Sequence, residues 1–323
     1  MASAHPLRRP LEHQVAVFGR HAAAALAGEA DPLHDARVAT RRLRELLPLC
    51  AGEVPGRAVT RARRRARRIG RAFGGVREID VALELVASMP DESLPAAGAG
   101  RLRHHLTDER ARRRRRLRAR VSGAELRKLP RAVSELVGAL DARAATGAWA
   151  HALAARTRRH AARVRGAVAE AGSLYVSERV HEVRIAAKKL RYALEIAGAT
   201  ADIETAAATS RLKAAQDTLG RLHDREVLQD LIRAMPIPHG RPPEWAAQLD
   251  RLRADLAADC CRLHADFVAA QPALLELCGS AEEVAARLEP ASGDDGNEER
   301  MLKMSLEAEP PREAVGGDPE PAG

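Results

Sequence analysis

Aromatic residues are nearly missing from this chain, with three Phe, two Tyr and two Trp among 323 residues. Strands favour aromatic and β-branched side chains, so this scarcity beside abundant Ala, Leu and Arg argues against a sheet and for an all-α fold of packed helices. It also removes the stacking platforms on which single-stranded nucleic acids are held. Cysteine is scarce too. Cys50, Cys260, Cys261 and Cys278 form neither a CxxC pair nor a disulfide framework, which points to a reducing cytoplasm. No apolar run approaches membrane-spanning length and the N-terminus lacks a hydrophobic signal core, so export and membrane insertion are not expected.

What the chain does have is unevenly placed charge. Its formal net charge is +9, yet residues 291–323 hold nine acidic side chains against Arg300, Lys303 and Arg312, a local balance of −6 that leaves +15 on residues 1–290. Such an excess calls for a polyanionic partner: nucleic acid, anionic lipid or a phosphate polymer. From Glu289 onward Pro, Gly, Asp and Glu prevail without periodicity, and an acidic, disordered tail over 291–323 is expected.

The positive charge is organised on a helix that occurs twice. His34, Arg37, Arg41 and Arg44 follow the offsets 0, 3, 7 and 10, and so do His181, Arg184, Lys188 and Arg191. At roughly 100° per residue these offsets fall within an arc of about 80° on one helix face. The opposite faces carry Ala36, Ala39, Leu43, Leu46 and Leu47 in one copy and Val183, Ala186, Leu190, Ala193 and Leu194 in the other. A shift of 147 residues superposes the two, and after one residue of slippage the match continues at 146, with Gly74 on Gly220, Arg77-Glu78 on His223-Asp224 and Val81 on Val227. A repeat this long marks a duplicated domain, with halves at 1–145 and 146–290.

Turn signals divide the chain further. A helix from Leu11 to about Ala27 is expected to stop at Gly28, with Asp31-Pro32 then capping the first basic helix, which ends near Pro48. A stripe of Val59, Ala62, Ala66, Ile69 and Phe73 makes a helix over 55–73, broken by Gly74-Gly75 and followed by a short helix to Ser88. A long helix from Leu94 or Ala96 to Val121 carries Arg112 to Arg116, of which Arg113 and Arg116 extend a basic surface and the others are solvated. Helices near 125–142 and 147–171 precede the second copy. There the stripe recurs as Thr205, Ala208, Leu212, Ala215 and Leu219, and a short helix to Met235, a turn from Pro236 to Pro243, a long helix to Ala270 and a last one to Leu288 follow.

A cationic helix face is ordinarily just solvated. Here both copies keep the same spacing behind a histidine, and neither sets an Asp or Glu four residues from each cation to neutralise it. Arginine adds a planar donor fork that suits phosphate oxygens. His-x-x-Arg-Val-Ala-Thr-Arg-Arg-Leu-Arg at 34–44, His-x-x-Arg-Ile-Ala-Ala-Lys-Lys-Leu-Arg-Tyr at 181–192, and Leu212-Lys213-x-x-Gln216-Asp217-x-Leu219-Gly220-x-x-His223-Asp224 resemble the CHAD domain, the α-helical family named for its histidines, over roughly residues 7–290.

That resemblance implies two pseudo-symmetric helical bundles around a basic channel or groove that binds inorganic polyphosphate, with some members gathered at polyphosphate granules. It assigns phosphate contacts to His34, Arg37, Arg41, Arg42, Arg44, His181, Arg184, Lys188, Lys189, Arg191 and Lys213, with a hydroxyl from Tyr192. Arg64, Arg67 and Arg71 on the striped helix join them as candidate contacts. The two halves differ: Glu45 stands where the second has Tyr192, and Gly70 where it has Gln216, so unequal grips on ligand are expected. Family members often follow a CYTH-type triphosphatase, whose ExExK signature does not occur here, so its hydrolytic activity is not transferred.

Other residues admit sharper readings that the sequence does not favour. Glu78 and Asp224 could serve as general bases, but structural carboxylates holding nearby arginines fit better. His34-Asp35 and His223-Asp224 resemble the pairs of HD-type metal-dependent phosphohydrolases, yet their repeat counterparts are His181-Glu182 and Arg77-Glu78, and a metal among so many cations is disfavoured. His104-His105 and Cys260, Cys261, His264 lack the CxxC or HExxH context of zinc ligands, and Cys50 and Cys278 read as small core side chains. The expectation is a cytoplasmic, non-enzymatic binder of inorganic polyphosphate that needs no cofactor and takes nucleic acid only non-specifically, since neither stacked aromatics nor a recognition helix is present.

Overall fold

The amphipathic stripes become helices throughout. In the computed structural model, which describes residues 4–90, 94–143, 145–237 and 243–289, the described chain is all-α and has no strand, only one bridge between Ala51 and Val54. The helices are α1 (Arg8–Ala27), α2 (Ala30–Leu46), α3 (Gly56–Ala87), α4 (Ala96–Arg120), α5 (Gly123–Asp141), α6 (Ala148–Ala171), α7 (Ser177–Ala201), α8 (Ala206–Arg233) and α9 (Glu244–Leu288), with a 3-10 turn over Leu47–Cys50. They pack as a bundle in which α1 to α4 and α6 to α9 each pair in sequence order, α5 packs on α1 and α3, and α2 meets α7, α3 meets α8 and α4 meets α9.

Several boundaries differ from the sequence expectations. Gly28 does end α1 in a left-handed conformation at φ 91°, its N–H reaching Ala24 and Ala25 oxygens. Glu29, without a side-chain hydrogen bond, rather than Asp31 occupies the N-cap of α2, and Asp31 sits in the first turn, where its charge favours the helix N-terminus. Gly74-Gly75 breaks nothing, because Phe73 and Val76 on either side are fully buried and hold α3 in register. α8 likewise runs through Gly220, and the last two expected helices are one, with Pro272 inside α9. The expected Pro236–Pro243 turn falls largely, and the acidic tail wholly, outside the described residues.

Two apolar clusters hold the bundle. The larger joins Phe18, Leu33, Leu43, Ile69 and Phe73 to Val164, Val183, Leu190, Leu212 and Phe267, crossing from one sequence half to the other. The smaller gathers Ile79, Val86, Leu102 and Leu106 with Leu228, Ile232, Leu249 and Leu252. Both α3 and α8 pass from the larger cluster to the smaller, between Val76 and Ile79 and between Leu222 and Leu228. Polar side chains occupy that seam. Cys50 and Cys278 are core side chains, as their context suggested.

Candidate functional site

The apolar backs of α2 and α7 are buried, residue for residue as the pattern requires: Ala36, Ala39, Leu43, Leu46 and Leu47, and Val183, Ala186, Leu190, Ala193 and Leu194. With those faces fixed inward, part of each cationic front is brought beside the other helix. α2 lies along α7, and Arg41 Nη1 donates to Tyr192 Oη at 3.0 Å across the interface. Arg37, Arg41, Arg184 and Lys188 are thereby brought within each other's fields.

The cost appears in their acidities. Burial first, then Arg41 and Arg184, lowers Arg37 to about 10. Burial and then Arg184, Arg41, Arg37 and Arg191 lower Lys188 to about 6. His34 is pushed down by burial and by Arg77, Arg41 and Arg37 against the opposing pull of Asp35. His181 falls through burial, then through His223 and Arg184. Arg184 is lowered by burial although Asp224 opposes the shift, and its Nε is buried without a hydrogen-bond partner. A set of cations held this way is unfavourable in isolation and gains from any anion that enters it.

α3 and α8 contribute at the seam. Arg77 grips Glu84 through two bonds of 2.7 and 3.2 Å. The His181 and His223 rings lie 5.0 Å apart. His223 Nδ1 is 3.7 Å from Glu226 Oε2, and Tyr175 Oη donates to Glu226 Oε1 at 2.7 Å. Asp224 is raised by burial, against the pull of Arg184, His223 and Arg77. Arg77, His223 and Glu226 were not among the expected contacts. The repeat alignment of Arg77-Glu78 with His223-Asp224 and the motif ending at His223-Asp224 pointed toward the first two, and no sequence signal singled out Glu226.

The remaining expected residues are dispersed. Arg191 donates to Gln216 Oε1 at 3.0 Å and to Glu195 Oε1 at 2.5 Å, so one carboxylate four residues on does neutralise a cation of the second copy. Glu195 also receives Arg42 at 3.3 Å, and Arg42 lines a cavity of about 280 Å³ against Arg9, His13 and Ile196 instead of the central cluster. Lys189 lies beside His160, which burial and the field of Arg156, Lys189, Arg159 and Arg163 lower to about 4. Tyr192 is buried, so its hydroxyl orients Arg41. Arg44 is exposed and lies within the field of Arg67 and Arg71. Arg64 is exposed farther along α3, and Lys213 is exposed one turn before the buried Gln216.

The difference between the halves has a packing cause. Gln216 accepts from Arg191 and donates to Ala187 O at 3.1 Å, whereas at Gly70 the Thr40 hydroxyl occupies the space, 2.8 Å from where a Cβ would sit. Arg44 consequently has no amide partner.

The arginine run on α4 is less solvated than expected. Arg112 and Arg113 bond Glu109 at 2.7 and 2.8 Å, Arg113 also reaches Glu78 at 3.2 Å and Gly75 O at 3.0 Å, and Arg114 and Arg118 donate to Ala27 O at the end of α1. Among the described residues no group of three or more His, Cys, Asp or Glu is placed to hold a metal. His104 faces Asp108 at 3.4 Å, Cys260 Sγ meets Leu222 O at 3.8 Å, and His264 packs on Tyr175 and Phe267.

A family model described as the CHAD domain matches residues 9–233, which include every expected phosphate-binding residue. The chain belongs to the CHAD-domain family. Among solved structures, the CHAD domain from the plant Ricinus communis is similar at 21% identity, over 87% of this chain and 92% of that one, with a TM-score of 0.56. PptA from Streptomyces chartreusis is similar at 18% identity, over 89% of this chain and all of that one, with a TM-score of 0.57. At such identities the likeness establishes a shared CHAD fold. No curated protein matches the chain. In this CHAD domain α9 lies beyond the matched segment, yet it supplies Leu249, Leu252, Phe267 and Leu277 to the two apolar clusters. None of its helices, among the described residues, is long and apolar enough to cross a membrane.

Proposed function

We propose that this CHAD domain is a non-enzymatic binder of inorganic polyphosphate, held in a groove between α2 and α7, and that binding recruits it to polyphosphate granules in the cytoplasm. The observation that carries the reading is the cluster of Arg37, Arg41, Arg184 and Lys188, four cations from two helices, with Asp224 and Glu226 opposing the shift of Arg184. Membership of the CHAD family supports the same ligand. A polymer of phosphates satisfies many fixed donors at once, needs no aromatic platform and gives back the protons and solvation that the cluster lost.

The carboxylates fit a binder. Glu78 is tied to Arg113 at 3.2 Å, and Asp224 stands among Arg184, Arg77 and Arg225, so both serve to hold arginines.

The test is an electrophoretic shift with long-chain polyphosphate at about 0.15 M salt, where non-specific phosphate interactions are screened. Capture of polyphosphate with DNA and RNA failing to displace it is the expected result. Displacement by nucleic acid overturns the reading, as does phosphate release that needs a divalent metal and disappears in His223→Ala or Asp224→Ala.

A further inference from the structure

The basic surface does not end at the central cluster. Between α3 and α4 lie two adjoining clefts of about 290 and 500 Å³, lined by Arg64, Arg67, Arg71, Arg116 and Arg120. None of these five side chains makes an ion pair or hydrogen bond among the described residues, and all five are exposed. Two further arginines in the lining are occupied, Arg68 by Glu125 at 3.2 Å and Arg113 by Glu109. No carboxylate lines either cleft. Arg44 of α2 stands between the two, within the fields of Arg67, Arg41 and Arg71 and with Glu45 beside it.

Among the described residues the other half has nothing equivalent. Positions 146 residues beyond Arg64, Arg67, Arg71, Arg116 and Arg120 are Ser210, Lys213, Asp217, Arg262 and Asp266. There Arg262 is bound by Asp259 and Arg211 by Glu276 at 3.2 Å. The cavity at that place, about 290 Å³, is lined by Ala214, Ala215, Phe267, Leu274 and Leu277 with few polar groups. One flank of the molecule is therefore an anion path and the other is apolar.

We propose that the α3–α4 cleft is a second anion site, which holds the stretch of polyphosphate leaving the central cluster past Arg44. This inference rests on the polyphosphate reading above. It makes the grip one-sided, so chain-length preference resides in the first half of the sequence. A short chain fills the centre alone, and a long chain gains the cleft.

The experiment compares tripolyphosphate with long-chain polyphosphate on the full chain. In Arg67→Gln/Arg71→Gln/Arg116→Gln/Arg120→Gln, long-chain affinity falls about tenfold or more, and the slope of log affinity against log salt falls by roughly 0.7 for each phosphate no longer neutralised, as for a flexible single-stranded polyanion. Tripolyphosphate affinity stays within about twofold, since the central cations are unaltered. The exposed pair Arg116→Gln/Arg120→Gln gives the same pattern at smaller size and guards against a folding defect in α3, checked by helical circular dichroism. Equal loss for both ligands, an unchanged long-chain affinity, or an equal loss in Arg211→Gln/Arg262→Gln on the opposite flank overturns the proposal. Failure of the unaltered protein to capture either ligand instead removes the polyphosphate reading itself, and the cleft with it.

Discussion

Lys188 bears the largest share of the strain between the two basic helices. With its acidity moved to about 6, the folded chain binds fewer protons there than the unfolded chain between about pH 6 and the ordinary lysine range near 10.4. Stability of the free protein therefore rises with pH through that window and is lost on acidification, with His34 and His181, both lowered, adding to the loss nearer pH 6. A bound polyanion is expected to reverse the shifts, so that binding takes up protons and tightens as pH falls. Thermal melts from about pH 8 to about pH 6 are expected to show a falling midpoint for the free protein and a growing gain on adding polyphosphate. Parallel trends refute the linkage. Arg37→Glu with Arg184→Glu is expected to weaken binding by about 100-fold, two charge-assisted hydrogen bonds at roughly 1.5 kcal/mol each. Arg112→Glu with Arg115→Glu, where Arg112 already pairs with Glu109, changes affinity by less than about threefold if specific pairing and not net field decides. Equal losses in a titration mean that the field alone matters. The cationic spacing at 34–44 and 181–191 was legible in the sequence. The neutralising role of Glu195 toward Arg42 as well as Arg191, and the turn of Arg42 and Lys189 away from the centre, depended on which neighbours the bundle brought beside them.

At the scale of elements, the apolar stripes foretold every helix and misjudged where some end. A glycine pair is a weak helix former, costing about 1 kcal/mol per residue against alanine, and that penalty suggested a break at Gly74-Gly75. Burial of Phe73 and Val76 against the core outweighs it. Gly75→Ala, whose added methyl meets only Arg113 Cδ at 4.0 Å, is expected to stabilise the protein by about 0.5–1 kcal/mol in chemical denaturation. Gly70→Ala is expected to do the opposite, by about 1–3 kcal/mol, because its methyl arrives 2.8 Å from the Thr40 hydroxyl, which donates to Arg37 O at 2.8 Å. Stabilisation at both positions would show that α2 and α3 are less closely packed than described. The same packing explains Pro272, tolerated within α9 because Leu274, Leu277 and Cys278 just beyond it are buried.

At the scale of the whole molecule, the sequence halves are not separate units of burial. The helices from Arg8 to Leu288 gather in one unit, and the larger apolar cluster takes side chains from both sides of residue 145. Glu53 stitches the boundary, accepting from Thr146 N and Trp149 N at 3.1 Å each and so capping α6 from the other half; those bonds hold its carboxyl below the usual range despite burial. A chain of residues 1–145 alone would expose the face that α6 and α7 cover. It is expected to lack a cooperative thermal transition and to bind polyphosphate at least tenfold more weakly, about 1.4 kcal/mol, than the full chain. A folded fragment with undiminished affinity would overturn this. The sequence by itself determined that the protein is helical, basic before residue 291, and twice supplied with the same cationic face, because helix periodicity and charge are local properties of the chain. Only the tertiary structure decided that Arg37 and Arg41 of one face come beside Arg184 and Lys188 of the other, and that, among the described residues, one flank carries unpaired arginines while the other turns apolar. Those outcomes depend on where buried stripes dock and which carboxylates land beside which cations, and neither is written in any single stretch of the chain.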